Sequence, residues 1–341
     1  MNELLKKLSE RKDLTAAEAE GFLLEIMKGL PAQAGGADPM LVASILVALR
    51  VKGESVEEIV GFLRAMRANM VKVNAPGAID VVGTGGDGLG TFNISTVSSF
   101  VAAGAGAKIA KHGNRAASGK CGSADVLEAL GAHIQLTKEQ AEEVYRKVGF
   151  VFLMAPLFHP AMKEVGPIRK QLKIRTIFNI LGPFANPAGT EKQLVGVPDK
   201  ELAKKMVIAG KKLGFKRLLI VSSSDGMDEI SLSANTYVYD LKGNRIKSAT
   251  VDPRKFGFKR VSQKEILGGD ASENARIARA VLSGEAGPKR DIVILNSAYA
   301  LVAAGVAASP SEGVDKAKHS IDSGRALGVL DSFVRTTQEF A

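Results

Sequence analysis

Five of the eight residues from Gly83 to Gly90 are glycine, and neither a strand nor a helix interior tolerates a segment so poor in Cβ atoms. The β-branched run Ile79 to Val82 just before it reads as a strand, and Ser95 and Thr96 just after it open an apolar helix. Strand, glycine loop and helix in that order turn backbone N–H groups and a helix N-terminus toward one point, an arrangement that binds phosphate.

The charges nearby agree. From Gly88 to Ala124 there is no Asp or Glu, while Lys108, Lys111, Arg115 and Lys120 all fall there, so the segment presents a one-signed field to a polyanion. Asp87 is the one carboxylate among the glycines; it would repel a bare phosphate but suits a ribose hydroxyl or a divalent cation, and a magnesium-bound phosphosugar satisfies both. The spacing Gly83-x-Gly85-x-x-Gly88 also fits a dinucleotide fingerprint, which needs an acid about 20 residues further on; the acid-free stretch removes it. A P-loop needs Lys and Ser/Thr directly after its last glycine, and here Thr91 and Phe92 follow Gly90. A ligand-free turn would need one or two glycines rather than five.

The rest of the chain sets the frame. Its 341 residues, 45% hydrophobic and 24% charged, suit a globular protein of one large or two unequal domains. A net charge of +10 fits an acidic substrate and nucleic acid equally. The single cysteine, Cys121, allows neither an internal disulfide nor a CxxC metal site. No signal peptide is visible at the N-terminus, and the uncharged run Ile292 to Ser311, broken by polar residues, Gly305 and Pro310, reads as a buried strand passing into a helix. A cytoplasmic protein with no membrane partner is expected.

Residues 1–72 are helical by pattern. Thr15-x-x-Glu18 and Ser55-x-x-Glu58 are capping boxes, Asp38-Pro39 starts a helix, and Gly29 and Gly53 stop helices, which gives about four. Met40 to Leu49 is apolar nearly all round and is expected to be buried on several sides, partly at a subunit contact. From Ile79 the period changes. Strands are expected at 79–82, 107–110, 150–154, 193–197, 217–222, 236–240 and 291–295, between helices such as 95–105, 122–130, 138–148, 199–213 and 271–283, with a hairpin turning at Lys242-Gly-Asn244. The fold class is α/β: a small N-terminal all-helical domain plus a large α/β domain with a central, mostly parallel sheet flanked by helices.

Each polar motif also has an ordinary reading. Asn93, Ser95 and Thr96 could be helix caps, Lys111 and Arg115 solvated charges, Asp228 and Glu229 an acidic surface loop, Arg169 a salt-bridging helix residue, and His112 a satisfied core histidine.

Taken together, Gly83-Thr-Gly-Gly-Asp87, Asn93-Ile-Ser-Thr96, Lys111-His-Gly-Asn-Arg115, Ile180-Leu-Gly-Pro-Phe-Ala-Asn-Pro187 and Asp225-Gly-Met-Asp-Glu229 resemble the anthranilate phosphoribosyltransferase family of tryptophan biosynthesis, in the family's order and over nearly the whole chain. The resemblance implies a magnesium-dependent transfer of phosphoribosyl from phosphoribosyl pyrophosphate (PRPP) to the amine of anthranilate, the second step from chorismate to tryptophan. It implies that Gly83, Gly86, Asp87, Thr91, Asn93, Ile94, Ser95, Thr96, Lys111, His112, Gly113, Asn114, Arg115, Ala116, Ala117, Ser118, Gly119 and Ser123 hold PRPP. Gly83, His112, Asn114 and Arg169 would hold anthranilate, and Ser95, Asp228 and Glu229 would bind magnesium, two ions per subunit; Asp225 is left out. Lys111, Asn114 and Arg169 are the catalytic candidates. The resemblance also implies a homodimer joined through the helical domain, which residues 160–182 would complete, leaving 73–159 and 183–341 to the PRPP-binding domain.

Two positions depart from the family: Met162 where some relatives carry an aromatic, and Cys121 where Ser is frequent. A pyrimidine nucleoside phosphorylase shares a Gly-Thr-Gly-Gly loop but not the next two motifs. A nucleic-acid-binding relative would explain the charge without needing Asn114, Arg169 or Asp228-Glu229, so nucleic acid is not the expected partner.

Overall fold

In a computed structural model that describes residues 1–29, 36–116 and 120–341, β1 (Asp80–Gly83) forms one edge of a five-stranded sheet. Parallel β4 (Lys192–Gly196) pairs with it from Asp80↔Gln193 to Gly83↔Gly196, and parallel β5 (Arg217–Ser223) lies beyond. Antiparallel β6 (Thr236–Lys242) and β7 (Arg245–Val251) follow as the expected hairpin, closing at Lys242↔Arg245. On the other side Ile79 bridges to Ile109 of β2 (Ile109–Gly113), whose parallel partner is β3 (Phe150–Met154). β1 and β2 then part, which leaves a five-stranded and a two-stranded sheet joined at that bridge. The lateral order is β3-β2-β1-β4-β5-β6-β7, so the winding reverses beside β1, where open α/β sheets bind ligands.

Helices Asn2–Ser9, Ala16–Met27, Pro39–Lys52 and Val56–Ala68 form the N-terminal part. Both capping boxes close, and Asp38 caps with Pro39 behind it. Glu58 does more than cap: its buried carboxylate accepts from Leu14 N (2.9 Å), Ser55 N (2.7 Å) and Lys52 Nζ (3.0 Å), tying three segments together. Helix Pro39–Lys52 buries Val42, Ile45, Leu46 and Leu49, but Met40 and Val51 are 77% and 73% exposed in the single chain. Its other apolar face is therefore open.

The sheet divides two cores by the strand's period of two. Leu194, Leu219 and Val221 face one, with the helices Ile94–Gly104 and Pro288–Ala304. Val195, Leu218 and Ile220 face the other, which also holds Phe22, Leu46 and Phe62 of the N-terminal helices and Val165, Ile177, Phe178 and Phe184 of the segment after β3.

The expected strand at 291–295 is not formed, and the run from Ile292 does not begin in a strand. It lies in the helix Pro288–Ala304, which has Pro at its first turn and left-handed Gly305 at its end. Ile292 to Leu301 are buried on every side, and a helix covered all round shows no period of 3.6 by which it could be told from a strand. Among the described residues no helix is long and apolar enough to cross a membrane.

Candidate active site

The glycine loop leaves the end of β1 with Gly85, Gly86, Gly88 and Gly90 all at positive φ, between 68° and 76°, a region closed to most side chains. Among the described residues the N–H groups of Gly86, Asp87, Gly88 and Gly90 have no acceptor. Thr91 bridges to Leu267, Gly268 N donates to Gly90 O at 2.9 Å, and helix Ile94–Gly104 follows. Asn93 does not cap that helix with its side chain. Its amide instead donates to Cys121 O (3.1 Å) and accepts from Asn274 Nδ2 (3.0 Å), joining the loop to two distant segments. Ile94 and Thr96 are buried and Ser95 is half-buried at the helix's open end.

Asp228 is brought against this loop by the absence of two side chains, since a Cβ on Gly83 would overlap the Asp228 carboxylate and one on Gly196 its carbonyl. Burial holds the Asp228 carboxyl up to about 7, with the charge of Asp87 adding to the effect. Burial, then the charge of Asp228, raises Glu229 well above the carboxylate range, against the opposing Lys111 ammonium and Ser95 N–H. Three acids thus repel one another here, with the Lys111 ammonium as the opposing charge. Among the described residues no cluster of three or more His, Cys, Asp or Glu is placed to hold a metal alone. The all-oxygen set of Ser95, Asp228 and Glu229 fits magnesium, which completes its shell with water and substrate phosphate. Asp225 accepts from Ser231 Oγ (2.7 Å) and Met227 N (3.3 Å) and shapes the turn.

At the end of β2, Lys111 is 2% exposed, and its Nζ donates to Val81 O (2.5 Å) and Ser95 Oγ (3.4 Å). Its ammonium lies between the acids and the helix N-terminus. Gly113 approaches Ser123, whose Oγ donates to Asn114 O at 3.3 Å, and Ala116 N donates to Asp125 at 3.0 Å. The one-signed field expected here needs correction at Arg115. Its guanidinium is paired with Glu128 (Nη2 to Oε1, 2.7 Å) and Asp125 (Nη1 to Oδ1, 3.1 Å), acids just past the acid-free stretch that the helix Ser123–Ala129 turns back on the loop. Ala117, Ser118 and Gly119 lie outside the described residues.

Beside the loop a cavity of about 460 Å³ is lined by Gly83, His112, Asn114 and Arg169, together with His159, Met162, Phe178 and Pro183. All four residues expected to hold anthranilate thus share one cavity. Arg169 lies over the Phe178 ring at 5.6 Å, and burial lowers its pKa. His112 Nδ1 lies 3.0 Å from Gly182 O and donates to it, which leaves Nε2 as the unprotonated nitrogen, buried and without a partner among the described residues. Burial, with His159 at 5.2 Å between ring centroids, lowers the His112 pKa to about 3. Thr84 Oγ1 and Asp87 Oδ2 are likewise buried atoms without a partner among the described residues. Buried polar atoms are normally paired, so three unpaired ones around one cleft fit a polar ligand.

Sequence reasoning missed the supports. Asp80, at the foot of β1, accepts from Asn186 Nδ2 at 2.7 Å and from His112 N, and burial raises it to about 6. Asn274 positions Asn93, and Arg175 holds the carbonyls of Gly85 and Gly86. None belongs to a local motif around its partner.

Comparison with known proteins bears on this cleft. Residues 2–70 match the helical bundle domain of a glycosyl transferase family and residues 75–327 its a/b domain. An anthranilate phosphoribosyltransferase of Rubrobacter xylanophilus is 48% identical, over 100% of this chain and 98% of the relative. The solved anthranilate phosphoribosyltransferase of Thermus thermophilus superposes with a TM-score of 0.89 at 38% identity, covering 98% of this chain and 99% of that one. The Saccharomyces cerevisiae enzyme, solved in complex with PRPP and Mg, gives a TM-score of 0.89 at 32% identity, covering 99% and 97%; it has also been solved with 4-fluoroanthranilate.

Proposed function

Because the chain belongs to the anthranilate phosphoribosyltransferase family, we propose that it transfers phosphoribosyl from PRPP to anthranilate with magnesium. The N–C1 bond forms, the anomeric C1–O bond breaks, pyrophosphate leaves and the amine loses a proton. One observation carries the reading: an amphipathic cavity with a half-buried arginine opens directly onto a glycine loop in which the N–H groups of Gly86, Asp87, Gly88 and Gly90 lack acceptors among the described residues and which is backed by two half-buried acids. The yeast relative's complexes with PRPP, magnesium and a fluoroanthranilate support it.

An aromatic amine is neutral and nucleophilic near neutral pH, so no activated side-chain nucleophile is required. The barrier is charge separation as C1–O lengthens. The glycine-loop N–H groups and the N-terminus of helix Ile94–Gly104 receive the leaving diphosphate, and the Lys111 ammonium adds a fixed positive charge behind them. Magnesium held by Ser95, Asp228 and Glu229 would neutralise part of the diphosphate charge. Arg169 forks the acceptor's carboxylate, while Asn114 and His112 orient the amine toward C1, so much of the rate comes from placement.

Two magnesium ions per subunit would be held, one with the help of Ser95 and one by Asp228 and Glu229, and would supply positive charge to the diphosphate. The open apolar groove of Leu8, Ala43, Val47, Ala48, Val51 and Leu172 supports a homodimer through the helical domain. That domain comprises residues 1–72 and 160–182, and the enzyme works in the cytoplasm.

The test mixes protein, PRPP, magnesium and anthranilate and follows anthranilate fluorescence. The reading expects a loss that EDTA abolishes. Folded protein that binds PRPP but leaves the signal unchanged would overturn anthranilate as acceptor.

A further inference from the structure

Arg175 reaches the glycine loop from the segment that carries Arg169. Helix Gly166–Leu172 places Arg169 in the cavity and ends at left-handed Lys173, at φ 52°; six residues past Arg169, Arg175 then faces the loop. Its Nη1 donates to Gly86 O at 2.8 Å and its Nη2 to Gly85 O at 3.1 Å. A planar fork on successive carbonyls fixes the two peptide planes they belong to.

In a trans peptide the C=O and the next N–H point in opposite directions. Turning the Gly85 and Gly86 carbonyls toward Arg175 therefore turns the N–H groups of Gly86 and Asp87 away from it, and these have no acceptor among the described residues. Left-handed Gly85 and Gly86, at φ 68° and 76°, permit both turns. On the opposite side the Gly85 N–H is held by Asp228 Oδ2 at 2.7 Å, so the loop is fixed between the metal-site acid and the arginine.

We propose that Arg175 is a positioning residue for the donor substrate, aiming the Gly86 and Asp87 N–H groups at the diphosphate and linking that loop to the helix that binds the acceptor. The inference rests on the reading of the loop as the PRPP site. Arg175 acts through the loop backbone, so its removal strikes the donor and spares the acceptor.

Steady-state kinetics on the full chain decide it. Arg175→Ala raises KM for PRPP about tenfold, the scale of a lost charged hydrogen-bond pair, with KM for anthranilate at saturating PRPP within about twofold. Arg175→Lys, a point charge without the fork, falls between, and millimolar guanidinium partly restores the alanine variant. An unchanged KM for PRPP in Arg175→Ala overturns the proposal, as does a parallel rise of both KM values with a drop in Tm and no guanidinium rescue. Should the alanine variant not fold, a folded Arg175→Lys with wild-type KM for PRPP overturns it equally. A wild-type protein without turnover would instead refute the function proposed above, so the two failures are distinct.

Discussion

Asp228 Oδ2 accepts the N–H of Gly85 at 2.7 Å, which joins the acidic turn after β5 to the glycine loop after β1. That closeness requires that position 83 carry no side chain, because a Cβ there would overlap the same carboxylate. Gly83→Ala is predicted to reduce kcat/KM for PRPP about 100-fold, the effect of displacing a catalytic group by about 1 Å. Tm should shift little, because the acid can move toward the cleft. Kinetics at several magnesium concentrations check this.

Arg169 has its guanidinium in the cavity and an aromatic ring at 5.6 Å, and no acid is paired with it among the described residues. It is therefore available to a carboxylate. Arg169→Ala should raise KM for anthranilate by about 2–3 kcal/mol, or 30- to 150-fold, with KM for PRPP nearly unchanged. An acceptor series in which aniline replaces anthranilate should lose the difference between wild type and variant.

His112 and His159 are both held below the usual imidazole range by burial. A base whose folded pKa lies below its unfolded value of 6.5 costs stability once pH falls below 6.5, because the unfolded chain takes up the proton and the fold does not. With a folded value of about 3, His112 alone removes about 2 kcal/mol by pH 5. The raised carboxyls of Asp80 and Asp228, at about 6 and about 7, act in the opposite sense over this range, so the histidine effect is read as a difference: the Tm of His112→Asn relative to wild type should rise from pH 7 through 6 to 5.

Glu58 is fully buried, accepting three hydrogen bonds between the first helices. Glu58→Ala leaves the Lys52 ammonium with Asp13 and the Gly53 carbonyl, and removes the acceptor of Leu14 N, a loss of about 3 kcal/mol. Denaturant unfolding measures it. At a temperature where the variant is folded, kcat should be that of wild type.

What could be read in the chain was what is encoded locally. The glycine loop, both capping boxes and the hairpin turn at Gly243 need only neighbours in sequence, and each forms as expected. The same holds for the central parallel strands. Residues 291–295 were misread because burial on all sides erases periodicity. The field around Arg115 is not one-signed, because Asp125 and Glu128, just past the acid-free stretch, come back on a helix turn. Arg175 was invisible for a different reason: its partner Gly85 lies 90 residues away, and no spacing rule links an arginine to a distant carbonyl.

The most direct measurement is a crystal structure with PRPP and magnesium bound. The account predicts diphosphate on the N–H groups of Gly86 to Gly90 and at the N-terminus of helix Ile94–Gly104, with metal on Asp228 and Glu229 and the ribose C1 facing the cavity that holds Arg169. Diphosphate bound elsewhere, or magnesium on neither acid, would contradict it.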